Sequence, residues 1–171
     1  MLVRLESMDD MDKLAHVNAF FHRHMTYRLD SELYGQEDYW ATPLESLGHG
    51  AGDCEDYVIA KYVSLLHAGV DDNRLRLVYV RARIGGPRSN LSQAHMVLSY
   101  QSSADAEPLI LDSLLEEILP ASMRDDLEPV FSFNYSGMWA GGSRTSVGSS
   151  TARLSRWRDV IERMSAEGIA W

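Results

Sequence analysis

The chain has 171 residues, 45% of them hydrophobic and 24% charged, which are ordinary proportions for a globular protein. This length suits one domain over residues 1–171, able to bury roughly 70% of the surface that its unfolded chain exposes. With 16 Lys and Arg against 25 Asp and Glu the formal net charge is −9, which argues against a nucleic acid partner. No run approaches the roughly 18 apolar residues of a membrane span, so direct membrane insertion is not expected either. The single cysteine, Cys54, excludes an internal disulfide and any multi-cysteine metal centre.

In chain order, residues from Glu6 to Tyr27 read as an amphipathic helix, with Met11, Leu14, Ala15, Asn18, Phe21, His22 and Met25, mostly apolar, recurring at three- and four-residue spacings. Tyr34 to Gly52, with Thr42-Pro43 and several glycines, reads as irregular. A second helix is expected from Asp53 or Cys54 to about His67, with Asp53 as N-cap and Gly69 just past its end. Leu75 to Arg83 alternates as a strand and stops at Gly85-Gly86-Pro87. Residues 94–100 and 109–114 read as two antiparallel strands joined by a polar hairpin loop. Pro129 to Trp139 is expected as one further strand, residues 141–150 as a flexible loop, and Leu154 to Glu167 as a terminal helix with Leu154, Trp157, Ile161 and Met164 on one face. Helices followed by consecutive strands and a closing helix make an α+β fold, an antiparallel sheet packed against helices.

Cys54 opens the second helix after the glycine-rich approach GHGAGD. The partial positive charge of a helix N-terminus favours a thiolate, although a lone cysteine is also a common small core residue. A hairpin centred on Ser103-Ala104 places His95 directly across from Asp112, about 5 Å apart at Cβ. A carboxylate in that position fixes the tautomer and orientation of an imidazole. His16, His22 and His24 fall on or near the first helix, where packing or surface roles are expected. His67 sits at a helix C-terminus, and His49 lies in a glycine loop with no orienting partner in view.

Asp53, Glu55 and Asp56 flank the thiol. At about 6 Å and an effective dielectric near 20 each opposes ionisation by about 3 kcal/mol, whereas the helix dipole returns about 0.3–1 kcal/mol. Either the carboxylates point away, as an acidic first turn complementing the dipole, or a hard divalent cation such as Ca2+ neutralises them. No EF-hand pattern is present.

Trp40-Ala41-Thr42-Pro43, the run from Gly50 to Tyr57, Ala60-Lys61-Tyr62, the run from Ala94 to Leu98, Leu111-Asp112, Ser132-Phe133-Asn134 and Gly137-Met138-Trp139 together resemble the bacterial transglutaminase-like cysteine proteinases. The resemblance runs from about Met8 to Trp139. It implies a transglutaminase-like, papain-like fold with the nucleophile at a helix N-terminus, and a cysteine endopeptidase with Cys54 as nucleophile, His95 as general base and acid, and Asp112 as the residue orienting His95. It further implies calcium held by Asp53, Glu55 and Asp56. The oxyanion donors expected are the Cys54 backbone N–H and, by analogy with transglutaminases, the Trp40 indole N–H. The implied substrate is the N-terminal region of a large cell-surface adhesin, cut at a di-alanine sequence in a step that promotes biofilm dispersal. The implied regulator is the periplasmic domain of LapD, an inner-membrane cyclic di-GMP receptor. Such proteins are periplasmic and carry a secretory signal, so this chain is expected to be a mature or trimmed form.

Two rival readings share these residues. A transamidase uses the same triad and passes the acyl group to an amine. A binding module leaves the triad misassembled. Trp139 and Trp171, with the loop from Gly141 to Ser150, are a further possible docking surface, although Trp139 sits in an alternating strand and suits the core.

Overall fold

The computed structural model describes residues 5–170. Helix α1 spans Asp10–His24, and Asp9 caps it by accepting the Asp12 amide at 2.9 Å. It is shorter than expected because Thr26–Tyr27 (β1) leave the helix to pair in parallel with Ala51–Gly52 (β2). Its inner face is Leu14, Val17 and Phe21, while Met11 is exposed. Trp171, one of the expected docking residues, lies outside the described residues.

A short helix, α2 (Asp30–Leu33), precedes the segment expected to be irregular, and that segment contains a further helix, α3 (Pro43–His49), and strand β2. Helix α3 has a legible start: Thr42 accepts the Glu45 amide, Glu45 accepts the Thr42 amide, and proline occupies the first turn. It ends at Gly50, whose φ of +62° is the left-handed conformation that glycine adopts without strain. His49 therefore closes a helix rather than sitting in a loop.

Helix α4 runs Cys54–His67, as its sequence predicts. From Asp56 to Val63 every side chain is buried, so this is a helix wrapped by protein on all sides. Its C-terminus closes with two bonds, Val70 N–H to Leu65 O and Gly69 N–H to Leu66 O, around a Gly69 with φ +84°.

The main sheet has seven strands in the order β6-β5-β4-β3-β7-β8-β9, every neighbouring pair antiparallel. Strands β3 (Leu75–Ile84) and β4 (Leu91–Tyr100) form its centre, followed by β5 (Leu109–Leu111) and β6 (Leu119–Pro120) on one side. On the other side lie β7 (Leu127–Phe133), β8 (Met138–Ala140) and β9 (Ser146–Gly148). The single strand expected over 129–139 is thus a hairpin, and the expected loop 141–150 contributes the edge strand β9 and the start of helix α5 (Ser150–Arg153).

The last helix, α6 (Ser155–Ala166), buries Trp157, Val160 and Met164. With α1 and α4 it covers one face of the sheet in a core containing Phe21, Tyr62, Leu77, Met96 and Phe133. A smaller cluster of Val78, Val80, Val97 and Ile110 forms on the other face. Trp139 is half-buried, with the Arg76 guanidinium stacked 4.0 Å from its ring.

The turn between β7 and β8 is tied down by Asn134, which is buried. Its carbonyl accepts the amides of Ser136 and Gly137, and its amide donates to the backbone oxygens of Asp72 and Leu75. Removing that side chain strands buried backbone groups at the start of β3. Asn134→Ala is therefore expected to lower the unfolding free energy by about 2–4 kcal/mol, read by urea denaturation; a loss under about 0.5 kcal/mol contradicts this role.

Candidate active site

Cys54 is the first residue of α4, so the buried helix fixes its position. The Asp53 amide before it donates to Asp56 Oδ2 at 3.3 Å. The Cys54 thiol donates to Glu55 Oε2 at 2.9 Å, and Met96 of β4 lines the same cavity. Burial pushes the thiol pKa well up, with the carboxylates of Glu55 and Asp53 adding to it. Burial first and the carboxylates second thus outweigh the helix dipole at this thiol.

His95 lies on β4 and shares a cavity of about 630 Å³ with Cys54. Its Nε2–H donates to Asp112 Oδ1 at 2.7 Å, and both side chains are buried. The strand register that brings them together differs from the expected one. Leu98 pairs with Leu111, Ser99 with Ile110 and Tyr100 with Leu109, so Asp112 lies diagonally from His95 rather than across from it. A shift of two residues keeps each side chain on its face, and the imidazole spans the diagonal.

Asp112 is held at both ends. Its carboxylate also accepts the Leu114 amide at 3.0 Å and Arg124 Nη2 at 2.8 Å. Its backbone oxygen accepts Lys61 Nζ at 3.1 Å and lies 2.9 Å from His22 Nε2. Burial alone would raise the Asp112 pKa; the bonds from His95, Leu114 and Arg124 reverse this and hold it well below the usual carboxylate range. Lys61 is fully buried, and burial pulls it down to about 7 against the opposing pull of Asp112. His22, placed by the sequence among packing residues, packs under this site. His16 and His24 are exposed and bond to backbone oxygens of their own helix.

The acidic cluster is larger than the sequence suggests. Carboxylate oxygens of Asp30, Asp53 and Asp56 lie within 4.8 Å of one another, as do those of Asp30, Asp38 and Glu55. Burial is the main cause that raises Asp53 to about 10, Asp56 to about 7 and Asp30 to about 6. Asp53 Oδ1 and Asp30 Oδ1 are buried with no hydrogen-bond partner. Two orphaned carboxylate oxygens beside further carboxylates are a donor set of the hard kind that suits calcium. Gly52 permits the arrangement, because a Cβ there would lie 2.7 Å from Asp56 Oδ2.

Trp40 lines the cavity, but its indole N–H donates to Asp38 Oδ1 at 3.0 Å. That N–H is already committed, so as placed the indole is not the free oxyanion donor expected of it. The Cys54 amide remains at the helix start, where the first N–H groups have no partner within the helix. His49 packs edge-on against Tyr34, 5.2 Å between centroids, and takes no part in the cavity.

Sequence reasoning missed Arg124, the role of Lys61 and the carboxylates of Asp30 and Asp38. Lys61 carried a signal, being a cation on a helix with apolar residues all round. The others come from loops or from the short helix α2, where no spacing announces the partner.

The depressed Asp112 pKa makes a stability statement. Its ionised form supports the fold fully above the unfolded value near 4, and that support is lost as pH falls towards the lower folded value. The midpoint of urea unfolding should therefore drop steeply from about pH 4 to pH 2 in the native chain. The drop should be shallower in Asp112→Asn; equal slopes would contradict the assignment.

Comparison with known proteins bears on this geometry. Residues 3–125 match the family described as bacterial transglutaminase-like cysteine proteinase, BTLCP. No curated protein sequence matches the chain. Among solved structures it is similar to Legionella pneumophila LapG in an EGTA-treated form, at 40% identity and TM-score 0.83, covering 95% of this chain and 83% of that one. It is also similar to the calcium-bound form, at 40% identity and TM-score 0.79, covering 95% and 84%. A third LapG structure from the same organism matches at 38% identity and TM-score 0.80, with 95% and 83% covered. An α+β chain with a cysteine at the head of a buried helix, so matched over most of its length, belongs to the bacterial transglutaminase-like cysteine proteinase family.

Proposed function

We propose that this chain is a calcium-dependent cysteine endopeptidase with Cys54, His95 and Asp112 as its triad. The observation that carries the reading is the shared cavity: a thiol at the head of α4 and an imidazole anchored by a buried carboxylate open onto the same space. Asp112 engages His95 Nε2, leaving Nδ1 as the nitrogen that takes the proton from Cys54. The thiolate attacks a peptide carbonyl, and the Cys54 amide donates to the oxyanion. His95 then protonates the leaving amine, and water hydrolyses the thioester.

Asp30, Asp53, Glu55 and Asp56 are the residues that would hold calcium, with Asp38 adjacent. Calcium bound there supplies positive charge that offsets the carboxylates now raising the thiol pKa. A calcium-bound and an EGTA-treated LapG among the similar structures support this reading.

By the same family likeness, the substrate proposed is the N-terminal region of a large cell-surface adhesin, cut at a di-alanine sequence to release it and promote biofilm dispersal. The regulator proposed is the periplasmic domain of the cyclic di-GMP receptor LapD, sequestering the enzyme, and the location is the periplasm.

Cys54→Ala is expected to abolish cleavage of an adhesin N-terminal fragment while leaving Tm near that of the parent; full cleavage by the variant ends the proposal. A labelled amine added to the native reaction distinguishes hydrolysis from transamidation: its incorporation into the cut end would favour a transamidase. Chelation with EGTA should remove activity and lower Tm, and added calcium should restore both. Activity and Tm that survive thorough chelation would refute the calcium assignment and leave the triad untouched.

A further inference from the structure

Strand β4 is fully paired on one side only. All of it, from Leu91 to Tyr100, faces β3 in unbroken register, whereas β5 covers only Leu98 to Tyr100. In an antiparallel ladder a residue turns its N–H and C=O to the same side, and successive residues alternate. Just past the strand end the Gln101 N–H donates to the Arg74 carbonyl on the β3 side at 2.8 Å, and this sets the alternation, with odd-numbered residues facing β3. Even-numbered residues of β4 turn their backbone groups away from β3. At Leu98 and Tyr100 those groups meet β5, and at Met96, Ala94 and Ser92 no strand among the described residues meets them.

This stretch of edge is open and beside the reacting groups. Residues from Leu91 to Ala94 are exposed, and Gln93, Ala94, His95 and Met96 line the same cavity as Cys54. Exposed strand edges are ordinarily blunted by charge, proline or a bulge. Leu91-Ser92-Gln93-Ala94 has no charge and no proline, and its pairing with β3 has no register shift.

We propose that the Ser92–Ala94 edge of β4 is the surface that binds the substrate main chain. An extended peptide segment adds to the sheet there, its N–H and C=O groups pairing with those of Ser92 and Ala94, and is carried past His95 to Cys54. The inference rests on the protease reading above and specifies the form of substrate: an unfolded, extended segment whose main chain supplies affinity. A segment locked in a helix has no free main-chain groups to offer this edge.

The test is a synthetic peptide of about ten residues with a central Ala-Ala bond, and a series carrying one backbone N-methyl group at each position in turn. Cleavage by the native protein is measured with calcium present, and binding is measured on Cys54→Ala. On one side of the bond, N-methylation at alternate positions is expected to weaken kcat/KM and binding by about tenfold or more, with little effect at the positions between. A parent peptide that is cut while the series shows no alternation overturns the edge and leaves the protease standing. A parent that binds with alternation but is not cut supports the edge and overturns the protease reading. A parent neither bound nor cut overturns both. Ala94→Pro removes one outward N–H at a place where edge strands accept proline. It should raise KM about tenfold without lowering Tm; an unchanged KM in the folded variant overturns the proposal, and should the variant fail to fold, the peptide series decides.

Discussion

The burial of α4 is the constraint from which the site follows. Tyr57, Val58, Ile59, Ala60, Tyr62, Val63 and Leu65 all lie in the interior, so the helix cannot roll or slide without opening cavities on several sides. Its N-terminus therefore sits at one place against β4, just beyond the end of the short strand β5. Met96, left unpaired by β5, lines the cavity with Cys54 there.

The same burial creates an electrostatic cost. Asp53 and Asp56 come with the helix start, and Asp30 is brought to them by the short helix α2. In a low-dielectric pocket their mutual repulsion and lost hydration favour the protonated forms, as the raised pKa values of all three record. Such a cluster destabilises a protein that gains nothing from it. Asp56 repays part of the cost locally, accepting amides from Ala41 and Asp53. Asp53 Oδ1 and Asp30 Oδ1 have no such compensation.

Asp112 links the remaining parts. It follows β5, reaches His95 on β4 with its carboxylate, and receives Arg124 from the segment that leads into β7. Through its carbonyl it touches Lys61 on α4 and His22 on α1. Four segments thus converge on this residue, and the imidazole orientation depends on their joint packing. An anchored carboxylate at this place differs from a half-exposed pair that merely satisfies itself, because both partners are almost free of solvent contact.

The sequence by itself determined the α+β class, the extent of α4 and its closure at Gly69, the β3 strand, and the pairing of His95 with Asp112 as a local hairpin event. These rest on short-range rules: periodicity, capping and alternation. Even the register error of two residues left the pair intact, because the side-chain period of a strand is two. Helix α3 is legible too, through the capping pair Thr42 and Glu45 with Pro43 in the first turn, although the surrounding glycines point to irregular chain. Tertiary structure alone decided the rest. Arg124 and Asp30 reach the site from loops or short elements distant in sequence. The open edge of β4 is likewise an absence, visible only once β5 is seen to stop at Leu111. Such features depend on which segments meet in space, and burial, which sets both the pKa shifts and the orphaned oxygens, exists only after they have met.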